Sequence, residues 1–95
     1  MGLHDSFEYD NRKAWLNLKK HRISFDEAMT VFIDPLSITI SDPLHSDEEE
    51  RLIIIGISVK RRLLVAVHID YGDKIRLISA RKATTHERKR YEEAC

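Results

Sequence analysis

Two arginines, Arg76 and Arg81, ride on the otherwise apolar stretch Ile75-Arg76-Leu77-Ile78-Ser79-Ala80-Arg81. A guanidinium held against an apolar surface needs an anion or an acceptor. Its planar fork of donors matches phosphate oxygens and stays charged at any physiological pH. Period-two alternation predicts Ile75, Leu77, Ser79 and Arg81 on one face of a strand, with Arg76, Ile78 and Ala80 on the other. Arg81, with Lys82 beside it, stands where the strand gives way to a helix, a place where backbone N–H groups favour an anion. The pattern suits a structural ion-pair site or a phosphate-binding surface, and the residues alone leave both open.

His68 closes the apolar run Leu63-Leu64-Val65-Ala66-Val67-His68 and shares a face with Leu64 and Ala66. An imidazole titrates near neutrality, so this residue could serve as general acid or base, or as a hydrogen-bonded structural histidine. Arg51 follows the acidic run Asp47-Glu48-Glu49-Glu50. It could pair with a neighbouring carboxylate, or Glu49 or Glu50 could act as a base beside a cation. Lys20-His21 closes a predicted helix, where cations oppose the helix dipole; a substrate contact is the second use open to them.

These residues must be positioned by one small fold. The chain has 95 residues, 42% hydrophobic and 34% charged, which suits a single domain spanning residues 1–95. No apolar run is long enough to span a bilayer, and no signal-peptide pattern opens the chain, so a cytosolic location is expected. Formal net charge is zero. The basic residues nevertheless cluster at 12–22, 60–62 and 74–90, which predicts a cationic face beside an acidic corner. Cys95 is the single cysteine and excludes an internal disulfide. No His, Cys or carboxylate set has metal-ligand spacing, the glycines are isolated, and no nucleophile-elbow pattern is present. No metal and no cofactor are expected.

Phe7–Asp10 alternates like an edge strand, and Asp10 or Asn11 offers an N-cap to a helix reaching about Lys20. Ala14, Trp15 and Leu18 predict its apolar side. Ser24 and Glu27 form a capping-box pattern before a second helix, whose apolar stripe is Phe25, Ala28, Met29 and Phe32. Asp34-Pro35 ends it. Four β-branched runs follow, at 36–41, 51–58, 63–69 and 74–81, with turns at 59–62 and 70–73. Thr84 and Glu87 cap a last, very polar helix whose apolar anchors are Tyr91 and Ala94. The predicted class is α+β: a small antiparallel meander packed with two N-terminal helices and a C-terminal helix.

Taken together, these motifs resemble BrnT-type toxins. The match begins with Phe7-Glu8-Tyr9-Asp10, Lys13, Asn17, Lys20-His21 and Ser24-Phe25-Asp26-Glu27-Ala28. It continues through Val31-Phe32-Ile33-Asp34-Pro35, Glu49-Glu50-Arg51, Ile55-Gly56 and Leu63–His68. It closes with Ile75-Arg76-Leu77-Ile78-Ser79-Ala80-Arg81-Lys82-Ala83-Thr84 and Glu87-Arg88, of which Ile78–Thr84 is the most specific run. Two positions depart from the pattern. Arg22 stands where a glycine often follows the Lys-His pair, which questions the left-handed helix end, and Arg61-Arg62 replaces Gly-Arg.

The resemblance implies a toxin of a type II toxin–antitoxin system with a RelE-like fold, a ribonuclease that cleaves RNA without a metal and inhibits translation. It also implies a BrnA-type ribbon-helix-helix antitoxin encoded beside it, in a hetero-oligomer that alone contacts operator DNA and represses the operon. On this analogy Arg81 and Arg51 stabilise the phosphate and His68 is the acid or base, with Glu49 or Glu50 as the alternative base. Lys20, Arg76, Lys82 and His21 become RNA or phosphate contacts. The rival reading is a non-catalytic module that only binds nucleic acid or an acidic protein.

Overall fold

Strand pairing follows the β-branched runs closely. The computed structural model describes residues 6–42 and 50–94. In chain order these form β1 (Phe7–Glu8), α1 (Asn11–His21), α2 (Phe25–Thr30), a 3-10 turn (Val31–Ile33), β2 (Ile38–Ser41), β3 (Leu52–Ile57), β4 (Leu63–Asp70), β5 (Ile75–Lys82) and α3 (Thr85–Glu93). They give one five-stranded sheet in the order β1-β5-β4-β3-β2. The meander β2-β3-β4-β5 is antiparallel as predicted, but β1 joins β5 in parallel, so the sheet is mixed.

The turns use the expected chemistry. Gly72 takes φ 94° while its N–H meets Asp70 Oδ1 at 2.8 Å. In the β3–β4 turn Arg61 occupies the left-handed region at φ 66°, and Arg22 does so at φ 62° as the C-cap of α1. The glycine-type cap therefore survives with arginine in place, its N–H returning to Leu18 O. Asp10 caps α1 by accepting from the N–H groups of Arg12 and Lys13.

Helices α1 and α2 pack on one face of the sheet, over Ile54, Leu64, Ala66, Ile75, Leu77 and Ala80. Of the predicted stripe on α2, Phe25 and Ala28 are buried, with Met29 and Phe32 packed against the same core. Of the predicted apolar side of α1 only Ala14 packs against the core; Trp15 and Leu18 face solvent, and Asn17 is the residue that goes inside. Asn17 Nδ2 donates to Ile23 O and Ala80 O, at 2.9 and 2.8 Å, and its Oδ1 accepts from Ala80 N at 3.0 Å. β1 is too short to reach Ala80, so one side-chain amide stands in there for the missing strand.

The second face carries a smaller core of Ile55, Leu63 and Val65 beneath Tyr91 of α3. Thr84 and Glu87 complete a full capping box at the start of that helix. Ala94, expected as a second anchor, is exposed. At Ser24 only half of the predicted box forms: Ser24 Oγ accepts from Glu27 N, but the Glu27 carboxylate turns inward. There it receives the Ser58 hydroxyl at 2.7 Å and Arg62 Nε at 2.9 Å, and Arg62 Nη2 bonds its second oxygen. Arg62 holds this carboxyl below its ordinary pKa against the opposing pull of burial. The buried charge is thus paired and hydrogen-bonded, and it ties α2 to the β3–β4 turn.

Candidate nucleic-acid interface

Among the described helices α3 packs on the second face of the sheet, over Ile55, Leu63 and Val65, and a β-bulge decides which cations that face carries. Val67 pairs with Ser79, but the next residue of β4, His68, pairs with Leu77. Ile78 is therefore an extra residue on β5, and alternation is reset around it. Strict alternation separated Arg76 from Arg81 and placed Leu77 beside Ser79; the structure reverses both expectations. Arg76 is opposite Ile69 and Arg81 is opposite Val65, and Val65, Val67 and Ile69 point to one side of β4. Both arginines consequently lie on the α3 face. Arg51, one residue before β3, falls by alternation on the side of Ile53, which pairs with Val67 and so belongs to this face.

The floor between these cations consists of half-buried Ile53, Val67 and Ser79, with Ile69 buried beside Arg76. At one end Arg76 Nη1 and Lys74 Nζ both grip Glu8, at 3.0 and 3.2 Å. The Arg76 hydrogen bond, followed by that of Lys74, holds the Glu8 carboxyl below its usual range. Two cations share one carboxylate, so this cluster retains a positive excess. At the α3 end Arg81 Nη1 and Nη2 each donate to Glu87 at 2.8 Å in a bidentate fork. Arg81 is the main cause that brings the Glu87 carboxyl down to about 2, and the Thr84 N–H at 2.8 Å assists. No ion pair engages Arg51 among the described residues.

His68, Lys82, Lys20 and His21 fall on the other side of the sheet. His68 is 3% exposed, on the α2 side of the sheet, with its ring edge-on to Phe32 at 4.9 Å between centroids and its Nδ1 3.4 Å from Ala66 O. The structure does not bring it together with Arg51 or Arg81. Lys82 also belongs to the α1/α2 side, since its partner Leu64 does, and Lys20 and His21 end α1 on that side. Glu50 is exposed immediately before Arg51, and Glu49 lies outside the described residues. Lys74, Glu8 and Glu87 are members of the face that the sequence reading missed. The period of β1 and the capping pattern at Thr84 were the signals available for Glu8 and Glu87. Among the described residues no group of three or more His, Cys, Asp or Glu side chains could hold a metal ion. No described helix is long and apolar enough to cross a membrane.

Comparison with known proteins agrees with this architecture. The family model described as "Ribonuclease toxin, BrnT, of type II toxin-antitoxin system" matches residues 9–87. Among solved structures, the chain is similar to the ribonuclease toxin BrnT of Brucella abortus, with a TM-score of 0.63 and 22% sequence identity. The alignment covers 84% of this chain and 97% of that one, and at this identity it speaks for the fold. No curated protein sequence matches. With most of its length inside the family model, from the strand-to-helix tyrosine Tyr9 to the arginine-binding Glu87, the chain belongs to the BrnT family of ribonuclease toxins of type II toxin–antitoxin systems.

Proposed function

We propose that the α3 face binds single-stranded RNA and cleaves it without a metal ion, and that the resulting block of translation is relieved by a ribbon-helix-helix antitoxin. The observation that carries this reading is the bulge at Ile78, which brings Arg76 and Arg81 onto one face, the face on which alternation along β3 also puts Arg51. Guanidinium groups held in fixed places supply the electrostatic stabilisation that a phosphorane-like transition state needs. Arg81 is oriented by Glu87 and keeps donors beyond the two it uses there.

In this mechanism a carboxylate takes the ribose 2′-OH proton, and Glu50, exposed beside Arg51, is our candidate. The 2′ oxygen attacks the adjacent phosphorus, Arg51 and Arg81 neutralise the developing charge, and the 5′ oxygen leaves with a proton from water. The products are a 2′,3′-cyclic phosphate and a 5′-hydroxyl. Lys74 and Arg76 hold a neighbouring phosphate. His68 is assigned to the core rather than to proton transfer, because the α2 face encloses it. Lys20, His21 and Lys82 remain as outer phosphate contacts around the sheet edge. Operator DNA is bound through the antitoxin in the complex, which suits a toxin of zero formal net charge.

Antitoxin-free protein incubated with end-labelled RNA in EDTA tests the reading. Cleavage leaving cyclic-phosphate ends is expected, falling about 10²-fold in Arg51→Ala. Salt-dependent binding without products would support the non-catalytic module instead.

A further inference from the structure

Four large apolar side chains cluster in the open, at the end of β3 opposite Arg51. Ile33 is 61% exposed, Leu36 53%, Ile57 40% and Val59 69%, and together they line one shallow depression with Thr30, Arg61 and Tyr91. Scattered exposed apolar residues need no explanation, but a contiguous set of this kind marks an interaction surface.

This depression is rigidly built. Asp34 lies in it and fastens three segments: Oδ1 accepts from Leu36 N at 3.0 Å, and Oδ2 accepts from Ile57 N at 2.8 Å and the Tyr91 hydroxyl at 2.7 Å. Thr30 Oγ1 holds Val59 N at 3.0 Å. Beneath it, a Cβ on Gly56 would come within 2.9 Å of Val31 Cγ1 and 3.0 Å of Ser37 Cβ, so the glycine permits the close approach of the 3-10 turn. A surface already ordered loses little conformational freedom on binding. Both signs are present but differently placed: the Asp34 carboxylate is engaged by three neutral donors, while Arg61 lines the rim with exposed Lys60 beside it in the turn.

We propose that this patch is the docking site for the antitoxin, which presents to it an apolar segment flanked by carboxylates. The inference rests on the toxin–antitoxin reading above and adds the surface and the chemistry of the partner. Positive rim and apolar centre call for an acidic, amphipathic segment.

The test uses the full-length chain and the polypeptide encoded by the adjoining reading frame, titrated by calorimetry. Ile33→Asp and Val59→Asp alter only exposed side chains, and the Val59 N–H that bonds Thr30 is retained. Each is expected to weaken the complex about 10-fold and the pair about 100-fold. Trp15→Asp, exposed and outside the depression, should leave affinity within about 3-fold, the scale of a change outside the interface. RNA cleavage by the antitoxin-free variants should match wild type. Wild-type affinity in the double variant overturns the docking site. So does a wild-type homodimer, seen by sedimentation, that the variants dissociate without change in antitoxin affinity. A wild-type chain that does not bind the antitoxin overturns the partner reading itself.

Discussion

Arg76 and Arg81 point to the same side of β5 although an odd number of positions separates them. The unpaired Ile78 between them makes this possible, and it makes the difference between a sheet with one arginine per face and a sheet with a cationic face. The bulge is fixed from both sides. Leu77 and Ala80 must both enter the core beneath α1 and α2, and with Ile78 and Ser79 between them only an extra residue satisfies both.

Asn17 holds the far end of that arrangement, so its loss should be costly. Asn17→Ala leaves Ala80 N–H, Ala80 C=O and Ile23 C=O without this partner in a buried setting. The expected cost is about 2–4 kcal/mol, beyond that of an ordinary helix-surface change. Urea denaturation measures it: a lower midpoint with an unchanged slope is expected.

The Arg81–Glu87 fork makes a pH prediction. Glu87 titrates near 2 in the folded chain against an ordinary 4.5. A carboxyl with a depressed folded pKa contributes stability above its unfolded value, and that contribution is lost as pH falls from about 4.5 toward 2. Because Arg81 is partly exposed, we expect about 1–2 kcal/mol rather than the full shift. Thermal melts of wild type should therefore fall over this window, and Glu87→Gln should be less stable at pH 7 with a shallower decline below pH 4.5.

Arg22 and Arg61 are the described non-glycine residues with positive φ, and both stand where the family resemblance expects glycine or leads to it. Replacing each by glycine removes the steric cost of a Cβ in the left-handed region, partly offset by greater freedom of the unfolded chain. A net gain of about 0.5–1 kcal/mol per site is expected, or a few degrees in Tm by calorimetry.

Much of this was legible in the sequence, for identifiable reasons. The caps at Asp10, Ser24 and Thr84, the stop at Asp34-Pro35 and the turns at Gly72 and Arg61 are local chemistry, and local chemistry can be read along the chain. The bulge could not be read, because Ile78 carries no glycine-like signal and its role is set by which neighbours reach the core. Trp15 and Leu18 misled because an apolar spacing does not say whether its side packs inward or stays open. His68 shares the alternation of Leu64 and Ala66, so its inward face was visible; its place against Phe32 was not. Asn17 has no local signal of its role, since nothing nearby in the chain announces an amide that serves a strand distant in sequence.

The most direct measurement is cleavage of end-labelled RNA in EDTA by antitoxin-free wild type, Arg51→Ala, Arg81→Lys and His68→Gln, with folding checked by circular dichroism. Arg81→Lys keeps the charge but loses the bidentate geometry, so it separates fork from charge. We predict that the two arginine variants lose about 10²-fold in rate while His68→Gln, where folded, cleaves within about 3-fold of wild type. Folded arginine variants that cleave at the wild-type rate, or a folded His68→Gln that does not cleave at all, would contradict the assignment of the chemistry to the α3 face.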